Sequence, residues 1–195
     1  MDLETIRTLF DYHYWARDRV LAAAELIADA QFTQSKGASF DTLQGTFVHL
    51  MNSERLWLNR CLGQADEPAL DPKNFGMLNE VRMYWDMLQM NMEKFLKDLT
   101  PDRLSDIIAY TNLKGENLRY PLWQILHQVI LHGVHHRSEA ATMLTNPPRL
   151  WPTKTGAPTI PAALATAITS RAQTSRGYSS RRPLSPWPLS SGATT

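Results

Sequence analysis

A chain of 195 residues is long enough for one core of ordinary size, because a domain near 150 residues buries roughly two-thirds of its unfolded surface. Its net charge of +1 conceals an asymmetry: residues 1–146 hold all 19 acidic residues and 14 of the 20 basic ones, a net −5, whereas residues 147–195 hold six basic residues and no acid. The acidic body argues against a nucleic-acid partner, and no apolar run approaches the ~18 residues needed to cross a membrane.

From Leu3 to about Ala30 the apolar residues Leu3, Ile6, Phe10, Val20, Leu21 and Ala24 return every three or four positions, which predicts an amphipathic helix. The start, Met1-Asp2-Leu3-Glu4, lacks the basic and apolar stretches of a secretory signal, so the protein is expected in the cytoplasm. Gln31 to Ala38 reads as a connection, and Ser39 can cap a second helix whose core face is Leu43, Phe47, Leu50, Trp57 and Cys61. Cys61, the single cysteine, agrees with a reducing compartment and is expected as a small core residue. Pro68, Pro72 and Gly76 mark a loop over Asp66–Gly76. A third helix follows, in which Leu78, Val81, Trp85, Leu88, Met92, Phe95 and Leu99 keep the same spacing until Pro101. Trp15, Trp57 and Trp85 are read as packing residues.

Ile107–Thr111 and Asn117–Tyr120 flank a Gly-containing segment and suggest a short hairpin. Pro121 suits the first turn of a fourth helix, which should run to about Leu144 before Asn146-Pro147-Pro148 ends it. The fold class expected is therefore all-α: a four-helix bundle with a short hairpin before the last helix. Residues 147–195 contain eight of the 12 prolines, seven serines and eight threonines. Without periodic large apolar residues such a tail is expected to be disordered and dispensable.

Six histidines are present, and four of them, His127, His132, His135 and His136, lie on the predicted fourth helix. At 100° per residue, with His132 at zero, His136 falls at about 40° and Leu122, Ile125, Val129, Ala140 and Met143 between about 20° and 80°. His132 and His136 therefore both point inward, one turn apart, a spacing that lets two imidazoles reach one metal ion. His135 falls at the edge of the face and His127 on the opposite side. A stable site needs a third protein ligand, for which His13 and His49 are available, and periodicity slightly favours His13. Glu54 replaces an apolar residue on the second helix's core face, so it is expected to orient a ligand histidine or to bond another buried group. Glu139, one turn after His136, could do the same.

Phe10-Asp11-Tyr12-His13-Tyr14-Trp15-Ala16, then His49-Leu50 with Glu54 and Trp57, then His132-Gly133-Val134-His135-His136-Arg137 together resemble the DinB and YfiT-like superfamily of metalloenzymes, which is distinct from the polymerase sharing the DinB name. The resemblance covers residues 2 to about 146. It implies a four-helix bundle of that type, a homodimer, and a divalent ion held by His49, His132 and His136. Where the family often has asparagine this chain has His13, and where it usually reads R-G-Q this chain has Arg137-Ser138-Glu139. The acid-free extension after residue 146 looks foreign to the family or else is a basic linker. The domains expected are thus 1–146, metal-binding, and 147–195, a basic tail.

Three histidines leave an open position, the arrangement of catalytic sites. The leading expectation is a metal-dependent hydrolase acting on a small-molecule substrate, with Glu54 or His13 as candidates for proton transfer. A metal-dependent thiol S-transferase using a low-molecular-weight thiol, and a non-catalytic stress-response metal-binding module, are the alternatives. Imidazole suits zinc, nickel, copper and iron alike, with zinc or nickel the expected ion.

Overall fold

A computed structural model describes residues 1–112 and 114–145. The tail expected to be disordered lies outside the described residues. Four long helices, α1 (Leu3–Ala24), α3 (Leu43–Cys61), α4 (Leu78–Asp98) and α5 (Leu122–Thr145), form the bundle, and the short α2 (Asp29–Phe32) lies between the first two. Strands β1 (Ile107–Thr111) and β2 (Asn117–Pro121) pair antiparallel, with Ile107 opposite Pro121 and Thr111 opposite Asn117. The all-α bundle and the hairpin are thus as the periodicity predicts. Among the described residues no helix is long and apolar enough to cross a membrane.

Local chemistry explains where the boundaries differ from expectation. The first helix stops at Ala24 rather than near Ala30, because the chain turns there to carry Phe32 into the core against Phe47, 6.1 Å between ring centres. Thr42, not Ser39, caps α3, its hydroxyl oxygen accepting the Gly45 N–H at 2.8 Å. Pro121 closes β2 instead of entering the helix, and the Leu122 N–H that follows donates to the Asp106 carbonyl at 2.8 Å. Trp85 is buried, whereas Trp57 is half-buried under Tyr110 and Trp15 is 51% exposed, so Trp15 is not the packing residue expected. Its ring instead lies beside Tyr12 and under the Arg19 guanidinium.

The apolar core is divided. One part gathers Ile6, Phe10, Leu58, Met92, Phe95 and Val129, the other Leu21, Phe47, Leu50, Val81, Trp85 and Ala140. At the level between them, on three helices, sit the buried polar residues His13 and Arg17 (α1), Glu54 (α3), and His136 and Arg137 (α5). Withdrawing such groups from water costs several kcal/mol per ion unless each finds a partner.

Candidate metal centre

α3 and α5 pack against each other and carry all three of the histidines that converge. One nitrogen from each of His49, His132 and His136 lies within 4.8 Å of the other two. Nε2 of His49 and Nε2 of His132 are 2.9 Å apart, and the His136 ring centre is 4.7 and 4.5 Å from theirs. Ligand nitrogens at about 2.0–2.1 Å from a tetrahedral ion stand about 3.4 Å from each other, so small ring adjustments suffice to hold a divalent cation. The donor set fits such an ion.

The surroundings prepare the His49 and His132 rings as neutral ligands. Burial, and then His136 nearby, lower the His49 imidazole to about 4; burial, then His136 and His49, do the same for His132. Glu139 Oε2 lies 2.6 Å from His136 Nδ1, which leaves His136 Nε2 for an ion and fixes the ring's orientation. The Ser39 hydroxyl donates to Glu139 Oε1 at 2.6 Å. That bond, against an opposing effect of burial and with help from His136, holds the Glu139 carboxyl below its ordinary value. Phe40 stacks on His49 at 3.8 Å and meets His136 edge-on at 5.3 Å. The α2–α3 connection thereby walls one side of the cluster. Ser39 and Phe40 carry no sequence signal of this role, since neither lies on a helix and only folding brings residue 39 to residue 139.

His13 is not in this cluster. Its ring is wholly buried, with Nε2 2.9 Å from Glu54 Oε1 and Nδ1 2.9 Å from Arg137 Nη1. Arg137 can only donate, so His13 accepts at Nδ1 and donates its Nε2–H to Glu54. Glu54 also accepts from Trp85 Nε1 at 2.9 Å and from the Tyr14 hydroxyl at 3.4 Å. Burial pushes the Glu54 carboxyl up, but His13 and the hydrogen bonds from His13 and Trp85 outweigh it and bring the carboxyl below its ordinary value. Of the two roles expected for Glu54, it fills the second: it bonds another buried group rather than a ligand histidine. Periodicity favours His13 because it measures direction from one helix's own axis. His49 sits at the flank of α3, and the flank is where α5 lies. His127 is half-buried and His135 exposed, its Nε2 3.6 Å from Glu139 Oε1.

Cys61 is buried at the other end of α3, in the wall of a cavity of about 580 Å³ that none of the six histidines lines. Burial pushes its thiol up to about 12, which leaves it protonated and unreactive at neutral pH.

The lowered histidines predict a pH dependence. Below 6.5 an unfolded chain protonates His49 and His132 while the folded chain, down to about 4, does not, so the metal-free protein loses stability as pH falls from 6.5 toward 4. Glu54 and Glu139 act in the same direction only below their ordinary value of 4.5. Urea midpoints measured from pH 7.5 to 4.5 should decline through this window, and His49→Gln with His132→Gln should flatten the decline. A midpoint independent of pH in the parent protein would contradict the burial of these rings.

A family model described as the DinB family matches residues 1–146. No curated protein matches the chain.

Proposed function

Since the chain belongs to the DinB family, we propose that residues 1–146 act as a divalent-metal-dependent hydrolase on a small-molecule substrate, with His49, His132 and His136 holding the ion. The observation that carries this reading is the convergence of three imidazoles from two helices, with the rings of His49 and His132 held neutral. Three protein ligands leave a coordination position open, and a divalent ion held there supplies Lewis acidity that polarises a carbonyl or acidifies water. Zinc or nickel suits the donor set. Glu139 bonds the His136 ring, and Phe40 stacks on the ring of His49.

Proton transfer by Glu54 or His13 is proposed only in an indirect form. Both nitrogens of His13 and both oxygens of Glu54 have buried partners, so a part in proton transfer would run through those partners. Residues 147–195 are proposed as a separate basic tail, and the active form as a homodimer.

The test is a panel of ester, amide and electrophilic substrates, run on metal-loaded protein with and without low-molecular-weight thiols. Hydrolysis without a thiol, abolished by a chelator, is the expected result. Turnover only when a thiol is supplied would replace hydrolysis by S-transfer, for which the thiol must come from outside because Cys61 is buried and protonated. Activity that survives removal of the metal would overturn both enzymatic readings, and inertness towards the whole panel would favour a metal-binding module.

A further inference from the structure

A buried chain of polar contacts ties together the two helices that carry the histidine cluster. It starts at Glu54 on α3, five residues after His49, crosses the His13 ring of α1, and ends at Arg137 on α5, directly after His136. Each member is 5% exposed or less. Gly133, the neighbour of His132, makes the crossing possible: a Cβ there would stand 2.4 Å from His13 Cε1 and 2.6 Å from Arg137 Nη1. The imidazole and the guanidinium thus both occupy the niche that glycine leaves in α5.

Geometry alone gives this arrangement a consequence for the cluster. His132 and His136 bracket the niche in sequence, and the α1 side chain that reaches it, His13, is bonded in turn to the helix of His49. The charge arrangement agrees. The Arg137 cation and the Glu54 anion are separated by one imidazole ring whose two nitrogens are matched, acceptor to Arg137 and donor to Glu54. A buried cation without such a counter-charge costs several kcal/mol. Arg137 Nη2 nevertheless has no hydrogen-bond partner among the described residues, a cost of about 1–3 kcal/mol that apolar packing would avoid. Apolar side chains of similar volume would join the two parts of the core at this level with less loss, so the polar chain is weak evidence for a gain in stability.

We propose that Glu54, His13 and Arg137 are positioning residues: they set the distance and rotation of α5 relative to α3, and so hold the His132 and His136 nitrogens where one ion can share them with His49. The proposal rests on the metal-site reading above and gives α1 a part in a site to which it contributes no ligand.

Cobalt(II) is the probe, since its visible spectrum reports ligand geometry as well as occupancy. Glu54→Gln removes the charge with little change of shape, and Arg137→Met removes the donor to His13 while filling similar volume. Phe95→Leu, in the other part of the core, serves as a control that lowers the melting temperature with no link to the histidines. Glu54→Gln and Arg137→Met should each weaken cobalt affinity by about 10–100-fold, the range found when groups supporting metal ligands are removed. Their cobalt spectra should shift as well. In metal-free protein, the imidazole nitrogen resonances of His49 and His132 should move in both variants. The control should leave affinity, spectrum and resonances unchanged. Parent protein that binds cobalt, alongside two folded variants that match it in affinity and spectrum, overturns the positioning role alone. Parent protein that takes up no cobalt overturns the metal-site reading and this proposal with it. Arg137→Met that fails to fold leaves the decision to Glu54→Gln, whose shape is nearly that of the parent.

Discussion

His132→Ala and His136→Ala proteins should each come out of purification nearly free of divalent ion, whereas the parent should hold about one per chain. A structural zinc ion with four ligands is bound with about 10–16 kcal/mol, so each imidazole contributes about 3–4 kcal/mol and its loss costs two to three orders of magnitude in affinity. His49→Ala should behave in the same way, because its Nε2 lies 2.9 Å from that of His132. Glu139→Gln removes only the group that orients His136 and should cost about 10–100-fold. His127→Ala and His13→Ala separate the expectations most sharply. His127 does not belong to the His49, His132 and His136 cluster, and the His13 nitrogens are spent on Glu54 and Arg137. Elemental analysis after gel filtration should find His127→Ala fully loaded. Stoichiometric metal in the His13→Ala protein, even with weakened affinity, is expected at saturating metal. Full retention of metal by His132→Ala and His136→Ala would remove the site altogether.

The second large effect is expected at Gly133, and it runs against helix propensity. Alanine in place of glycine inside a helix ordinarily stabilises by roughly 1 kcal/mol. At this position the added methyl would stand within 3 Å of three atoms of His13 and Arg137, both buried, and the His13 ring is held on one side by Glu54 and on the other by Arg137, so it cannot simply swing away. Overpacking a tight core costs about 1–3 kcal/mol, and displacing His13 also breaks buried hydrogen bonds of Glu54 and Arg137. Gly133→Ala should therefore destabilise by about 3 kcal/mol, which for a domain of this size lowers the melting temperature by about 10 °C. Gln128→Ala, exposed on the same helix, should change it by less than about 2 °C. A Gly133→Ala protein as stable as its parent would mean that the niche is not filled as described.

Several features were legible without coordinates because they depend on local periodicity. The four helices follow from apolar residues spaced three and four apart, and the hairpin from two short β-prone runs around a glycine. The shared direction of His132 and His136 is equally local, since one turn of one helix sets it. Glu54 stood out as an acid on an apolar face, which is by itself a statement that a partner must exist. The partner's identity was not readable, because His13 lies 41 residues away and Glu54 has no local preference among histidine, tyrosine and tryptophan.

What only the tertiary structure decided was which helix flanks meet. Direction about an isolated helix axis put His13 ahead of His49, and the resemblance to the DinB and YfiT-like proteins put His49 ahead of His13. The packing of α3 against α5 brings His49 to the histidine pair, while the packing of α1 against α5 takes His13 into the Gly133 niche. Ser39 shows the same division. Its hydroxyl could have capped a helix, but Asp41 adopts a left-handed φ of 60°, the cap falls to Thr42, and Ser39 is free to bond Glu139 a hundred residues on. Periodicity along the chain determined which residues turn inward. Which inward residues touch is set by the angles and offsets between helices, which arise from side-chain packing summed over the whole interface, and no single segment of sequence contains that sum.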